Sequence, residues 1–292
     1  MAAEGTVAGL LRAGAADLRQ AGVDDPETDS RVLLAHVLGC RLNDVLLRGS
    51  EVLTDQAAQA YHHLLALRGD RRPLQYVTGD TVFCGLTLRC DQRALVPRQE
   101  TELLAEAIAA HLRGMQLPAD AVVVDVGCGT GAIALALANW LPEITVFATD
   151  ISEAAVSLAR DNARLLSLDA RVVFAAGAYL DPIHRLGLAE RVVAVVNNPP
   201  YVLPEEIPLL DPETLAEPRI AVQSGSDDGL LEYRELVAQA RLLPRLRLLG
   251  VEIGYGQAEG VRGILGELGP LETLSDYCDI ERHVIAHVQP RT

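Results

Sequence analysis

The sequence predicts an α/β fold of the doubly wound, Rossmann-like kind, preceded by a small helical domain and a β-hairpin linker. Three observations point there. From about Glu100 onward, apolar runs of strand length alternate with helical patterns. A glycine-rich turn follows the first of those runs, at Gly127, Gly129 and Gly131. The first seventy residues carry helical periodicity alone. A chain of 292 residues, 49% hydrophobic, suits one large domain and one modest one. The expected division is 1–73 helical, 74–97 linker and 98–292 α/β.

The first helix spans Val7 to Gln20, with Val7, Leu11, Ala15 and Leu18 at helical spacing and Gly14 as a weak point. The second opens at Asp25-Pro26, a capping residue followed by proline at the first helical position, and stops at Gly39. A third starts at Thr54 and runs through Leu64, Leu65 and Leu67. Tyr76-Val77-Thr78, Val82-Phe83-Cys84 and Leu86-Thr87-Leu88, separated by Gly79-Asp80 and Gly85, read as strands of one or two hairpins. Six strands are expected beyond, at 122–125, 145–148, 171–175, 192–196, 248–253 and 283–288. Helices fall between them: one after Gly131, one capped by Ser152, one from about Leu230 to Leu243. The early strands are almost wholly apolar, as expected of a sheet covered on both faces.

Composition narrows the function. No apolar run approaches the roughly 18 residues of a membrane helix, and the N-terminus lacks a basic head and apolar segment. A cytoplasmic protein is expected. Five cysteines without CxxC spacing argue against a disulfide framework or a zinc site. The net charge of -15, with arginine as the sole basic residue besides histidine, disfavours a duplex-binding surface. No direct nucleic-acid binding is expected.

Val122-Val123-Val124-Asp125-Val126-Gly127-Cys128-Gly129-Thr130-Gly131-Ala132 is a strand entering a glycine turn and then a helix. Glycines allow backbone angles closed to side chains and let a ligand approach the main chain. Such a turn underlies a nucleotide-type cofactor. Gly127-x-Gly129-x-x-Ala132 also fits a dinucleotide fingerprint, so NAD stays in play here. Asp125 tilts the reading toward S-adenosylmethionine. A carboxylate at that point cannot face a pyrophosphate but suits ammonium and sulfonium charge. Asp150, about twenty residues past the last glycine, is placed to bond ribose hydroxyls of either cofactor.

The strand 192–196 ends in Asn197-Asn198-Pro199-Pro200-Tyr201. Two prolines cannot continue a ladder, so the chain leaves the sheet rigidly at its carboxyl edge, where α/β enzymes build sites. An amide or aryl-amine nitrogen is a poor nucleophile, its lone pair being delocalised. Asn198 through its side-chain oxygen, and Pro199 through a carbonyl stiffened by Pro200, can accept hydrogen bonds from that NH2 group. Tyr201 can stack on the planar target. The tetrapeptide makes these four residues the candidate catalytic and substrate-binding set.

At these residues the sequence resembles the PrmC/HemK family of N5-glutamine methyltransferases. Arg71-Arg72-Pro73-Leu74-Gln75-Tyr76-Val77-Thr78-Gly79 is similar to the family's lead into its linker, and Val96-Pro97-Arg98-Gln99-Glu100-Thr101-Glu102 to its Pro-Arg-Pro-x-Thr-Glu motif. Glu217-Pro218, Asp227-Asp228-Gly229 and the stretch from Asp276 to Arg282 resemble later blocks. The resemblance implies a class I S-adenosylmethionine-dependent methyltransferase domain. It implies as substrate the glutamine in the Gly-Gly-Gln loop of peptide chain release factors 1 and 2, gripped partly by the helical domain, with S-adenosyl-L-homocysteine as product. Gly127, Cys128, Gly129, Thr130, Gly131, Asp125, Asp150, Tyr179 and Asn198 would hold the cofactor. A monomer is expected.

Three departures stand out. Gln99 replaces a proline, Ala178 replaces an acidic residue that commonly contacts adenine, and Pro244-Arg245 stands at a turn where Gly-Gly is usual. His62-His63 point different ways on a helix and make a poor metal pair. Glu205, Glu206, Asp211, Glu213 and Glu217 read as a solvated acidic loop, which the resemblance implies frames the substrate entrance. Two rivals remain: an adenine-N6 DNA methyltransferase, which shares the tetrapeptide, and a non-catalytic release-factor binding protein.

Overall fold

The computed structural model describes residues 5–289. The chain forms two compact units: one comprises residues up to Gly79 together with Asp211–Ala216, the other the rest.

The first unit packs α1 (Val7–Gln20), α2 (Pro26–Leu38), α3 (Leu42–Leu47) and α4 (Asp55–Gly69) around Leu18, Leu33, Leu34 and Tyr61. Asp25 and Gly39 cap α2 as read from sequence, and Thr6 and Thr54 cap the starts of α1 and α4. Thr6, Asp25 and Thr54 each accept a backbone N–H of the first turn, and Gly39 closes α2 in the left-handed region. Gly14, a weakness in helix propensity, is a packing requirement. A Cβ there would collide with the Tyr61 hydroxyl, which bonds Ser30 Oγ at 2.6 Å. Leu74–Thr78 is a helical turn, α5, which corrects the strand expected at Tyr76-Val77-Thr78. Leu74 and Val77, three residues apart, both pack on the helical core, and a strand would point them to opposite faces.

The segment expected as a linker holds a single hairpin, β1 (Asp80–Phe83) and β2 (Leu86–Arg89), which belongs to the second unit and whose Cys84-Gly85 turn has φ 49° and 76°. Two positive angles make it the type I′ turn that matches strand twist.

The second unit continues with α6 (Gln99–Arg113), β3 (Val122–Val126), α7 (Ala132–Trp140), β4 (Thr145–Asp150), α8 (Glu153–Leu165), β5 (Val172–Ala176), α9 (Asp181–Arg185) and β6 (Val192–Asn197). After the short α10 (Pro212–Leu215), which belongs to the first unit, come α11 (Leu231–Ala240), β7 (Leu248–Glu252), α12 (Ala258–Leu265), β8 (Leu271–Ser275) and β9 (Glu281–His287). The sheet order is β5-β4-β3-β6-β7-β9-β8, parallel except that β9 runs antiparallel to both neighbours. This is the class I methyltransferase arrangement. β8 was not among the expected strands. It is a half-exposed edge strand with no fully buried residue to mark it.

Alternate residues of β3 serve two cores. Val123 packs with α6 and α7, whereas Val122, Val124 and Val126 pack with α11 and α12. Register aligns Val126 with Thr149 on β4 and with Asn197 on β6. The ends of three strands thus coincide at one sheet edge, where the strand order reverses.

Candidate active site

Gly127, Gly129 and Gly131 have φ of 65°, 54° and 83°, a left-handed run that side chains resist. The turn is tied down by its own backbone. Cys128 N donates to Thr149 O at 2.9 Å, Gly131 N to Cys128 O at 2.7 Å, and Gly129 N to Asp150 Oδ2 at 2.9 Å. Asp150 Oδ1 takes Ser152 N at 2.8 Å, and burial pushes this carboxyl's pKa up. Asn162 on α8 was not foreseen. Its amide nitrogen donates to Thr130 O at 2.9 Å and Arg89 O at 3.1 Å, and its oxygen accepts Arg89 N at 2.7 Å. It is fully buried, a polar residue on the apolar face of α8, and that was its only signal in the sequence.

Asp125 lies behind this turn. It is 1% exposed, accepts Ala134 N at 3.0 Å through Oδ2, and leaves Oδ1 without a partner among the described residues. Burial raises it to about 8, against the pull of the Ala134 N–H.

A cavity of about 330 Å3 opens over the strand ends. Gly127, Cys128, Gly129, Thr130 and Asp150 line one side, and Asn198, Pro199 and Pro200 another. Ala178 and Tyr179 also line it, and Tyr179 packs against the core as well. Tyr179 has φ 45°, and its carbonyl is held by Thr149 Oγ1 at 2.8 Å. Asp125, Gly131 and Tyr201 do not line the cavity. Tyr201, expected to face a planar target, lies against Gly254, where a Cβ would come within 2.9 Å of its ring. Burial, then Glu252, pushes its hydroxyl up to about 12.

The strand exit is braced from far along the chain. Asn198 Nδ2 donates to Thr101 Oγ1 at 3.0 Å, and Thr101 Oγ1 donates to Glu252 Oε2 at 2.6 Å. The amide nitrogen being committed to Thr101, the side chain's other arm, Oδ1, is the one left to meet a donor. Burial raises Glu252 to about 7. Its neighbour His283, 3.9 Å away, is held neutral by burial, down to about 4, and lends no countercharge. Gln257 Nε2 holds the Tyr201 carbonyl at 3.0 Å, and Asn197 Nδ2 the Val126 carbonyl at 2.6 Å. Neither Glu252 nor Gln257 was picked out from sequence. The available signal was a carboxylate closing the buried, apolar strand β7.

The acidic loop divides, and the solvated reading fails for two of its members. Glu205, Glu206 and Asp211 are exposed. Glu217 is buried, accepting Val96 N at 3.0 Å and Arg98 Nη2 at 2.6 Å, so two of the motifs read from sequence meet in one contact. Glu213 closes the first unit, taking both Nε and Nη2 of Arg71 at 2.7 Å and Nη1 of Arg68 at 2.5 Å. Burial alone raises Glu213, but Arg71 and Arg68 outweigh it and hold the group at about 2. Gln99 takes the first position of α6, where the replaced proline would also fit, and changes nothing in the path.

Comparison with known proteins settles the family. Residues 9–79 match the PrmC N-terminal domain and residues 99–209 the methyltransferase small domain. A release factor glutamine methyltransferase of Deinococcus radiodurans is 42% identical over 79% of this chain and 79% of its own length. One from Moorella thermoacetica is 37% identical over 92% and 94%. The chain belongs to the PrmC/HemK family of release factor glutamine methyltransferases. The hMettl16 catalytic domain, 15% identical with a TM-score of 0.53 over 81% of this chain and 83% of its own, shares the fold.

A release factor glutamine methyltransferase uses S-adenosylmethionine, and the residues here fit that molecule better than a dinucleotide. A pyrophosphate needs free N–H groups at the helix N-terminus. Two carboxylates already occupy such donors, Asp125 on Ala134 N and Asp150 on Gly129 N. Acidic groups at this turn suit a cofactor carrying ammonium and sulfonium charge. Among the described residues, no helix is long and apolar enough to cross a membrane.

Proposed function

We propose that this chain transfers the methyl group of S-adenosylmethionine to the side-chain nitrogen, N5, of the glutamine in the Gly-Gly-Gln loop of release factors 1 and 2. It does so as a cytoplasmic monomer without binding nucleic acid itself. Residues 1–73 help grip the protein substrate, 74–97 link, and 98–292 carry the chemistry. Gly127, Cys128, Gly129, Thr130, Asp150, Tyr179 and Asn198 hold the cofactor, and Gly131 shapes the turn without facing it. Asp125 acts from behind the turn, braced on Ala134 N; its carboxyl, raised to about 8 by burial, gains its charge when the cofactor's positive charge stands near it.

When bound, the cofactor supplies an electrophilic methyl group. The chain's own residues supply position. Asn198 Oδ1 and the Pro199 carbonyl accept the two N–H bonds of the glutamine amide, orienting its lone pair and stabilising positive charge as it develops on nitrogen. Holding reactants at about 3–3.5 Å along the transfer line provides much of the rate. With the cofactor bound, its methyl group would pass to this nitrogen and S-adenosyl-L-homocysteine would be the product, while the residues around the amide leave its proton free to depart to solvent. Tyr201, with its ring against Gly254, fixes the exit from below and is a positioning residue here.

The observation that carries this reading is the chain from Asn198 through Thr101 to Glu252, which turns one amide oxygen into a fixed acceptor at the cavity wall. The test incubates the protein with methyl-labelled S-adenosylmethionine and either a release factor, its loop Gln-to-Ala variant, or DNA. Label is expected on the unmodified release factor only. Labelled DNA, or equal labelling of the loop variant, overturns the assignment.

A further inference from the structure

α6 carries Thr101 in its first turn and His111 in its last. It lies close on the sheet because Gly250 of β7 has no side chain. A Cβ there would approach Ile108 Cδ1 to 2.8 Å and Leu104 Cδ1 to 3.1 Å. The end of the helix thereby reaches the antiparallel pair β8–β9. Glu272 on β8 is opposite Ile285, so His287, two residues on, shares its face.

Three donor groups from three elements meet at this point. His111 Nε2 is 2.8 Å from Glu272 Oε2, and His287 Nε2 is 3.1 Å from the same oxygen. The imidazole rings stand edge to face with centroids 4.9 Å apart. One donor atom from each residue lies within 4.8 Å of the other two. None of the three lines the cavity described above.

We propose that His111, Glu272 and His287 form a binding site for a divalent transition-metal ion, with Zn2+ as the fitting case. Without a metal, both rings must direct an N–H at one carboxylate oxygen. An ion among them uses the lone pairs of all three groups at once. Ligands about 2.0–2.2 Å from a tetrahedral ion stand roughly 3.3 Å apart, so the two His–Glu separations need changes of only a few tenths of an ångström, while the two imidazole donors already lie within 4.8 Å of each other. Two imidazoles and one carboxylate select Zn2+, Ni2+ or Cu2+ over Mg2+ and Ca2+, which want oxygen. The side chains are 30%, 36% and 36% exposed, which leaves an entry path and a fourth position for water. A bound ion pins the end of α6 to the edge strand β8. α6 is also the helix whose first turn orients Asn198, so the ion stabilises the frame of the site from about 15 Å along the helix.

The experiment titrates the chelator-stripped full chain with ZnCl2, following heat and thermal unfolding, alongside Glu272→Gln and a His111→Ala/His287→Ala double variant. The expected results are one equivalent of Zn2+ bound, a raised Tm, no response to MgCl2, and affinity weakened at least about 100-fold in the double variant. No binding by the unmodified chain, or equal affinity in the double variant, overturns the proposal. Should that variant fail to fold, Co2+ added to the unmodified chain decides. Visible ligand-field bands alone support nitrogen and oxygen ligation, whereas a thiolate charge-transfer band places the ion on cysteine and overturns the site.

Discussion

The glycine turn and the strand exit face the same cavity but are built in different ways. The turn is held by backbone bonds, by Asp150, 21 residues from Gly129, and by Asn162, 32 residues from Thr130. The exit is held by side chains from elsewhere: Thr101 lies 97 residues from Asn198, Gln257 lies 56 from Tyr201, and Glu252 lies 151 from Thr101. A local site tolerates loss of distant residues. A site braced at long range fails when any brace is removed, even one that touches no ligand.

The sharpest break in that comparison is Asn198→Ala, which removes the acceptor itself. Loss of one preorganised group of this kind costs about a hundred- to a thousandfold in kcat. Circular dichroism and Tm should stay close to those of the unmodified protein. Near-normal turnover removes Asn198 from the mechanism.

Next in size are the braces. Thr101→Val and Glu252→Gln should lower kcat by roughly tenfold to a hundredfold while leaving the affinity for S-adenosylmethionine, measured by calorimetry, within about twofold, because the turn is independent of them. A matching loss of cofactor affinity would show that the two regions are one unit. Glu252, raised to about 7, also gives a pH signature. The ionised carboxylate accepts the Thr101 hydroxyl, so kcat should rise with pH through about 7, and Glu252→Gln should flatten that limb.

The turn has its own signature through Asp125, whose carboxyl is raised from 3.8 to about 8 in the folded chain. A raised acid favours folding below its unfolded pKa, and that contribution is lost as pH rises through the folded value. Cofactor-free protein should therefore lose stability to urea between about pH 4 and 8. Asp125→Asn should lose less, by about 1–2 kcal/mol. Parallel curves for the two proteins would contradict the buried placement, with Oδ1 lacking a partner among the described residues.

The smallest effect is expected in the helical unit. Glu213→Gln removes the carboxylate shared by Arg68 and Arg71 and should cost about 1–2 kcal/mol of unfolding free energy. Because Arg71 and Arg68 hold Glu213 down at about 2, its contribution is present above the unfolded value near 4.5 and fades as pH falls toward 2. The difference between variant and parent should shrink in acid, and a constant difference speaks against the ion pair.

The same contrast explains what the sequence made legible. Strands β3, β4, β6 and β7, the capped helices α1, α2 and α4, and the turn from Gly127 to Gly131 all announce themselves within a few residues, through apolar runs, caps and glycines. Asn198 to Pro200 line the cavity as the rigid exit implied. Thr101, Glu252, Asn162 and Gln257 did not announce themselves as parts of the site. Each is an ordinary polar residue whose role exists only once the sheet brings distant segments together. Tyr76-Val77-Thr78 misled for a related reason. Its β-branched residues favour a strand, but the helical core that Leu74 and Val77 pack against sets the outcome.

The central claim concerns which atom of Asn198 faces the substrate. A crystal structure with a non-reactive cofactor analogue and a glutamine-containing peptide tests it directly. Asn198 Nδ2 is expected on Thr101, with Oδ1 and the Pro199 carbonyl both within hydrogen-bond distance of the glutamine nitrogen. An amide turned the other way, with Oδ1 accepting from Thr101 and Nδ2 facing the peptide, would contradict the account.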